Sequence, residues 1–259
     1  MTFSIIGTGN IAWFLGHRLV GARHHCIGVY SRDVAAAGAL CEALLADKHG
    51  AIADIRDGEA DICFMAVSDV AIGKVAVQLK LRTTVLAHTA GAVSIDMIKD
   101  AAMERAVFWP VYSILKNNLP DHRNIPCGWE ASSPKAERYV LEMGHGITDI
   151  LFEARQEQRK WLHLAAVMSN NFITHLLAVC ERICQENNLP FSTLVPIIDQ
   201  TFERITQNSP QTLQTGPAVR RDSTTIQEHL ALLSTHPNWQ DVYASLTESI
   251  QKDNELKHG

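Results

Sequence analysis

Apolar residues fall into two regimes along this chain. Up to about residue 152, short apolar runs alternate with segments of helical periodicity. Thr2–Gly7, Cys26–Tyr30, Asp61–Val67, Thr84–His88 and Ala106–Trp109 read as buried strands. Asn10–Ala22 repeats Ile11, Phe14, Leu15 and Leu19 at helical spacing, and Val34–Ala46 is an alanine-rich helix. This repeated order predicts an α/β fold, a doubly wound parallel sheet with helices on both faces. Asn124–Ala131 and Gly146–Phe152, around a helix at Pro134–Met143, predict two further strands of the same sheet.

Beyond Glu153 the pattern becomes wholly helical. Gln156–Asn188 contains neither Gly nor Pro and carries apolar residues at helical spacing, from Leu162 to Ile183. It predicts one long helix, buried over much of its circumference and ended by Leu189-Pro190. The charged run Glu153–Lys160 reads as its solvated first turn. Helices at Ser192–Thr206, Thr225–Leu233 and Pro237–Glu255 follow, with a polar loop over Gln207–Thr224. The expected organisation is a Rossmann-type domain over 1–152 and an all-α domain over 153–259.

Composition narrows the classes of function. The 259 residues are 46% hydrophobic and 20% charged, with a net charge of −5, as in ordinary globular proteins. The acidic balance gives no general attraction to nucleic acid. The N-terminus lacks a basic segment before an apolar stretch, and no unbroken apolar run nears the roughly 18 residues a bilayer span needs. The expectation is a cytoplasmic chain with no membrane partner. Six cysteines form no CxxC pair, which predicts free thiols and no metal site.

The clearest motif is Gly7-Thr8-Gly9-Asn10-Ile11-Ala12, a GxGxxA fingerprint between a strand and a helix. Gly7 permits the tight turn, Gly9 lets backbone approach a pyrophosphate, and Ala12 keeps the helix close to the sheet. The helix N-terminus then offers N–H groups to phosphates. Gly7, Thr8, Gly9, Asn10 and Ile11 are therefore candidate cofactor residues. At the end of the second strand, where NAD sites carry an acid, stand Ser31 and Arg32. A hydroxyl and a guanidinium suit a 2′-phosphate, so the expected cofactor is NADP. Asp33 reads as the cap of the next helix. Val67 and Ser68 end another strand on the ligand edge, with Ser68 able to line a ribose or cap a helix. His88 ends the next strand and either touches cofactor or substrate or makes a structural hydrogen bond.

Two polar clusters are candidates for chemistry. His163, Asn170 and Asn171 form a polar stripe on the long helix, at about 100° per residue. One reading is a buried hydrogen-bond network. The other makes His163 a general acid or base and Asn171 the group that orients a carbonyl or imine. In the loop Thr215–Asp222, Arg220 could clamp a substrate carboxylate, while Asp222 pairs with it or caps a helix carrying His229. The alternative is an ion pair that locks the loop, or a dimer contact.

These motifs, with Ala66-Val67-Ser68-Asp69, His88-Thr89-Ala90-Gly91, Ser169-Asn170-Asn171-Phe172 and Thr215-Gly216-Pro217-Ala218, resemble a bacterial family of Rossmann-like NADP oxidoreductases. That family is often labelled deazaflavin-dependent and carries a helical C-terminal domain of unknown function. It is distantly similar to pyrroline-carboxylate reductases. The resemblance implies a C-terminal domain like that of 6-phosphogluconate dehydrogenase, used for homodimerisation, and a small-molecule substrate. Two departures stand out: Trp109 occupies the place of an expected histidine, and Arg220-Arg221-Asp222 replaces Arg-Gly-Asp. Val167 stands where hydroxy-acid dehydrogenases carry a lysine, so that lysine mechanism is not implied. The expected activity is hydride transfer to or from a carbonyl or imine. The rival reading is a non-catalytic dinucleotide sensor.

Overall fold

The computed structural model describes residues 1–258. Contacts divide the chain into two compact units, Met1–Asn171 and a second beginning at Phe172. The division falls inside the long helix, whereas the compositional change lies near residue 152.

The first unit is built on an eight-stranded sheet of order β3-β2-β1-β4-β5-β6-β7-β8. The strands are β1 (Thr2–Ile6), β2 (His25–Tyr30), β3 (Lys48–Gly50), β4 (Ile62–Met65), β5 (Val85–His88), β6 (Arg105–Pro110), β7 (Cys127–Ala131) and β8 (Leu151–Glu153). All neighbours pair parallel except β6 and β7. The final two strands extend the sheet as expected, but they run opposite to the first six. Gly146 belongs to a helix, not to the last strand.

Helices α1 (Asn10–Gly21), α2 (Val34–Leu44), α3 (Asp69–Ala76) and α4 (Pro134–Ile147) cover the sheet. One core cluster joins Phe3, Ile5, Leu15, Leu40, Phe64, Phe108 and Val140, and another joins Ile6, Met65, Ile72 and Leu86. Neighbouring strand residues thus face opposite layers, as the pleat requires. The central strands are apolar on both faces because both are covered.

The long helix has three parts: α5 (Gln156–Ala166), a π-helical segment Val167–Phe172, and α6 (Ile173–Glu186). Its expected burial is not found. Trp161 is 71% exposed, and Leu164, Met168 and Phe172 are also exposed. By length and composition alone, Gln156–Glu186 would suffice to cross a membrane. Contiguous apolar runs did not reveal this, because the helix mixes its apolar residues with His163 and Ser169–Asn171.

After α6 come α7 (Val195–Gln207), two four-residue helices α8 (Pro210–Leu213) and α9 (Pro217–Arg220), α10 (Ser223–Leu232) and α11 (Pro237–His258). The expected loop over Gln207–Thr224 thus contains two short helices, each opened by a proline at its first position.

Candidate functional site

The strand order reverses direction between β1 and β4, and their carboxyl ends form the crevice where open α/β sheets bind ligands. Gly7 sits there with φ +111°. Its N–H donates to the Tyr30 carbonyl at 2.8 Å, while Ala66 N–H donates to the Ile6 carbonyl at 2.8 Å. A Cβ at Gly7 would collide with the Ala66 carbonyl oxygen. Gly7 is therefore a glycine for the fold itself, by both conformation and space.

Gly9 differs. A Cβ there would meet nothing within 4 Å, and its φ of −80° suits any residue. Gly9 caps α1 with no side chain, and no acid occupies the first turn of that helix. The structure thus leaves open space and uncapped N–H groups where an anion would sit. Ala12 is fully buried beneath them. Thr8 and Ile11 are half-buried around this mouth. The Asn10 side chain accepts from Lys116 N–H at 3.1 Å, which ties the segment after β6 to the start of α1.

At the end of β2, Arg32 is exposed and Ser31 half-buried. Asp33 accepts from Ala36 N–H at 3.0 Å and caps α2, which leaves Arg32 as the charge beside the crevice. Ser31 Oγ accepts from Asp33 N–H at 3.2 Å. Val67 is half-buried, and Ser68 is the cap position of α3 but makes no side-chain cap bond. His88 is 0% exposed. Its Nδ1 accepts from Ala90 N–H at 3.3 Å. Burial, then the positive charge of Arg159, push His88 down to about 4, while the Ser94 backbone offsets part of the shift.

The second cluster forms a cleft of about 580 Å³ within the first unit. Trp109, Tyr112 and Ser113 line it from β6 and the segment beyond, and His163, Asn170 and Asn171 line it from the long helix. Trp109 is 8% exposed and stands edge-on to the His163 ring, with centroids 6.0 Å apart. The π-helical turn changes the expected geometry. Its i→i+5 bonding widens the helix, so the 100° spacing does not run through Ser169–Asn171. His163 and Asn171 are exposed, so no buried network absorbs them. Such π turns often occur at functional sites.

Arg220, Asp222 and His229 lie in the second unit. Asp222 accepts from Thr225 N–H at 3.1 Å and from Thr225 Oγ1 at 2.8 Å, as the cap of α10. Those bonds, then the Arg220 and His229 charges, hold its carboxyl below the usual range. His229 pairs with the Tyr243 hydroxyl at 2.8 Å. Arg220 is exposed, and Arg221 forms the ion pair with Glu255.

Arg159 lies within the charged run Glu153–Lys160. It is not part of a solvated turn: it is 0% exposed and paired with Glu130. The available signal was its position one turn before His163 on the same helix face. Cys63 is fully buried with its thiol pushed up to about 12 by desolvation. Among the described residues, no group of three or more His, Cys, Asp or Glu side chains is placed to hold a metal.

These features define a Rossmann-type sheet followed by a helical C-terminal region. Residues 125–250 match a domain of unknown function, DUF2520. A crystal structure of a candidate NADP oxidoreductase from Bacteroides fragilis is 30% identical over 97% of this chain and 98% of that one, with a TM-score of 0.88. The chain belongs to the family of that protein, Rossmann-like NADP oxidoreductases with a C-terminal domain of unknown function. The 1-pyrroline-5-carboxylate reductase of Streptococcus pyogenes is 14% identical, covering 97% and 98% of the chains, with a TM-score of 0.67. An imine reductase of Myxococcus stipitatus, in complex with NADP+, is 14% identical over 100% and 96%, with a TM-score of 0.62. At that identity, these two show a shared fold. No curated protein matches the chain in sequence.

Proposed function

We propose that this chain is an NADP-dependent oxidoreductase acting on a small carbonyl or imine. The observation that carries the reading is the open space at Gly9, above an uncapped helix N-terminus at the sheet's switch point. A glycine that the fold does not need is explained by a ligand that passes over it. Arg32 at the end of β2, with Asp33 turned to capping, favours NADP over NAD. Once bound, the dinucleotide would supply or accept the hydride.

The chain's own residues would handle the rest. His163, at the cleft wall, would donate the proton that the carbonyl oxygen or imine nitrogen takes up on reduction, and withdraw it in the reverse direction. The Asn171 amide would donate a hydrogen bond to that same atom and orient it. Trp109 would give the cleft an apolar floor. Asp222 and His229 are already occupied by Thr225 and Tyr243, so they serve the helical unit's structure. Arg220, exposed on that loop, would be the cation offered to a substrate anion.

The protein works as a soluble, cytoplasmic homodimer in this reading. Exposed Trp161, Leu164, Met168 and Phe172 along one helix support a helix-mediated subunit contact. The experiment is thermal-shift titration with NADPH and NADH, for wild type and Arg32→Ala. NADPH should stabilise more, and Arg32→Ala should remove the difference. Equal shifts for the two cofactors in wild type would refute NADP preference. Trp109, standing where a histidine was expected, favours a sensor as the second reading. NADPH binding without turnover across a panel of small carbonyls and imines would favour it.

A further inference from the structure

Arg159 heads the fully buried side chains by volume, yet nothing in the proposed chemistry uses it directly. Its Nε donates to the Gly91 carbonyl at 3.2 Å. Nη1 donates to the Ala154 carbonyl at 2.8 Å and to the Glu130 carboxylate. Nη2 donates to the Val93 carbonyl at 2.9 Å. All three guanidinium nitrogens are thus taken up by protein, so Arg159 holds no cation out to a substrate.

Its partners lie on three separate pieces of the first unit. Gly91 and Val93 belong to the loop after β5, Glu130 to β7, and Ala154 to the entry of α5. The Trp109 ring packs directly on Gly91, leaving no room there for a side chain. His163 follows Arg159 by four residues and shares its helix face. One guanidinium therefore grips both walls of the cleft: the Trp109 wall through Gly91, and the His163 wall through α5.

We propose that Arg159, with Glu130, is a positioning residue that sets His163 against Trp109. This rests on reading the Trp109–His163 cleft as the reaction site. A planar fork with donors in fixed directions can hold three carbonyls and a carboxylate at once. A lysine ammonium keeps the charge but lacks that fork, so Arg159→Lys separates geometry from charge.

The test is NMR of protein carrying labelled histidine. The His163 ring signals, assigned by their loss in His163→Gln, should be displaced by the Trp109 ring and should relax in Trp109→Leu. Arg159→Lys should move them toward the Trp109→Leu position. The His229 signals, held by Tyr243 in the other unit, should stay in place, which a general loosening of the fold would not allow. Unmoved His163 signals in folded Arg159→Lys overturn the proposal. So does parallel movement of His163 and His229. If Arg159→Lys does not fold, Glu130→Gln is read by the same criteria. Failure of wild type to bind NADPH would sink the cofactor reading and leave this result to be judged by itself.

Discussion

A Cβ placed on Gly91 would stand 2.5 Å from Cε2 of the Trp109 indole. The ring therefore packs against bare backbone, and the loop after β5 and the end of β6 meet without a side chain between them. Gly91→Ala should destabilise the protein by about 1–3 kcal/mol through overpacking. Adding Trp109→Phe should return part of that loss, because the smaller ring vacates the clash. Urea unfolding of the two single variants and the double variant checks this. Strictly additive losses would contradict the contact.

His88 predicts an acid limb in stability. Its native value is held down to about 4, first by burial and then by the Arg159 charge, against about 6.5 for an unfolded histidine. Between those values the unfolded chain binds a proton that the native chain refuses. Stability from this group is thus intact above pH 6.5 and falls as pH drops toward 4, by up to roughly 3 kcal/mol. The unfolding midpoint in urea, followed over that range, should fall in wild type and fall less in His88→Gln. The same slope in both would show that other groups dominate.

Exposed Trp161, Leu164, Met168 and Phe172 predict association. Light scattering coupled to gel filtration should give twice the chain mass. Phe172→Glu should shift the protein toward monomer by placing a charge in an apolar contact. A monomeric wild type would contradict the dimer and leave the dinucleotide site unaffected.

Much of the first unit was legible because its signals are local. The glycine turn, the helix starting at Asn10 and the Asp33 cap each involve residues a few positions apart. Strand β3 was missed because Lys48-His49-Gly50 is short and polar, sits at the sheet edge, and offers no apolar run. Arg159 was misread because its partners Gly91 and Val93 lie 68 and 66 residues away in sequence. Charge next to charge looks like a solvated turn until the fold brings those carbonyls together. The π-helical turn was hidden by the assumption of one constant helical period. Its trace is three consecutive polar residues, Ser169-Asn170-Asn171, inside an apolar helix. The long helix looked buried because periodicity reveals an apolar face but not what covers it.

The contrast between two glycines tests the cofactor site most directly. Gly7 is required by the backbone, whereas Gly9 faces open space. In calorimetric titrations, wild type should bind NADPH saturably and more tightly than NADH. Gly9→Ala should unfold at the wild-type temperature yet lose about tenfold or more in NADPH affinity, or roughly 1.4 kcal/mol. A wild type that binds no dinucleotide, or a Gly9→Ala variant that binds as tightly as wild type, would contradict the account.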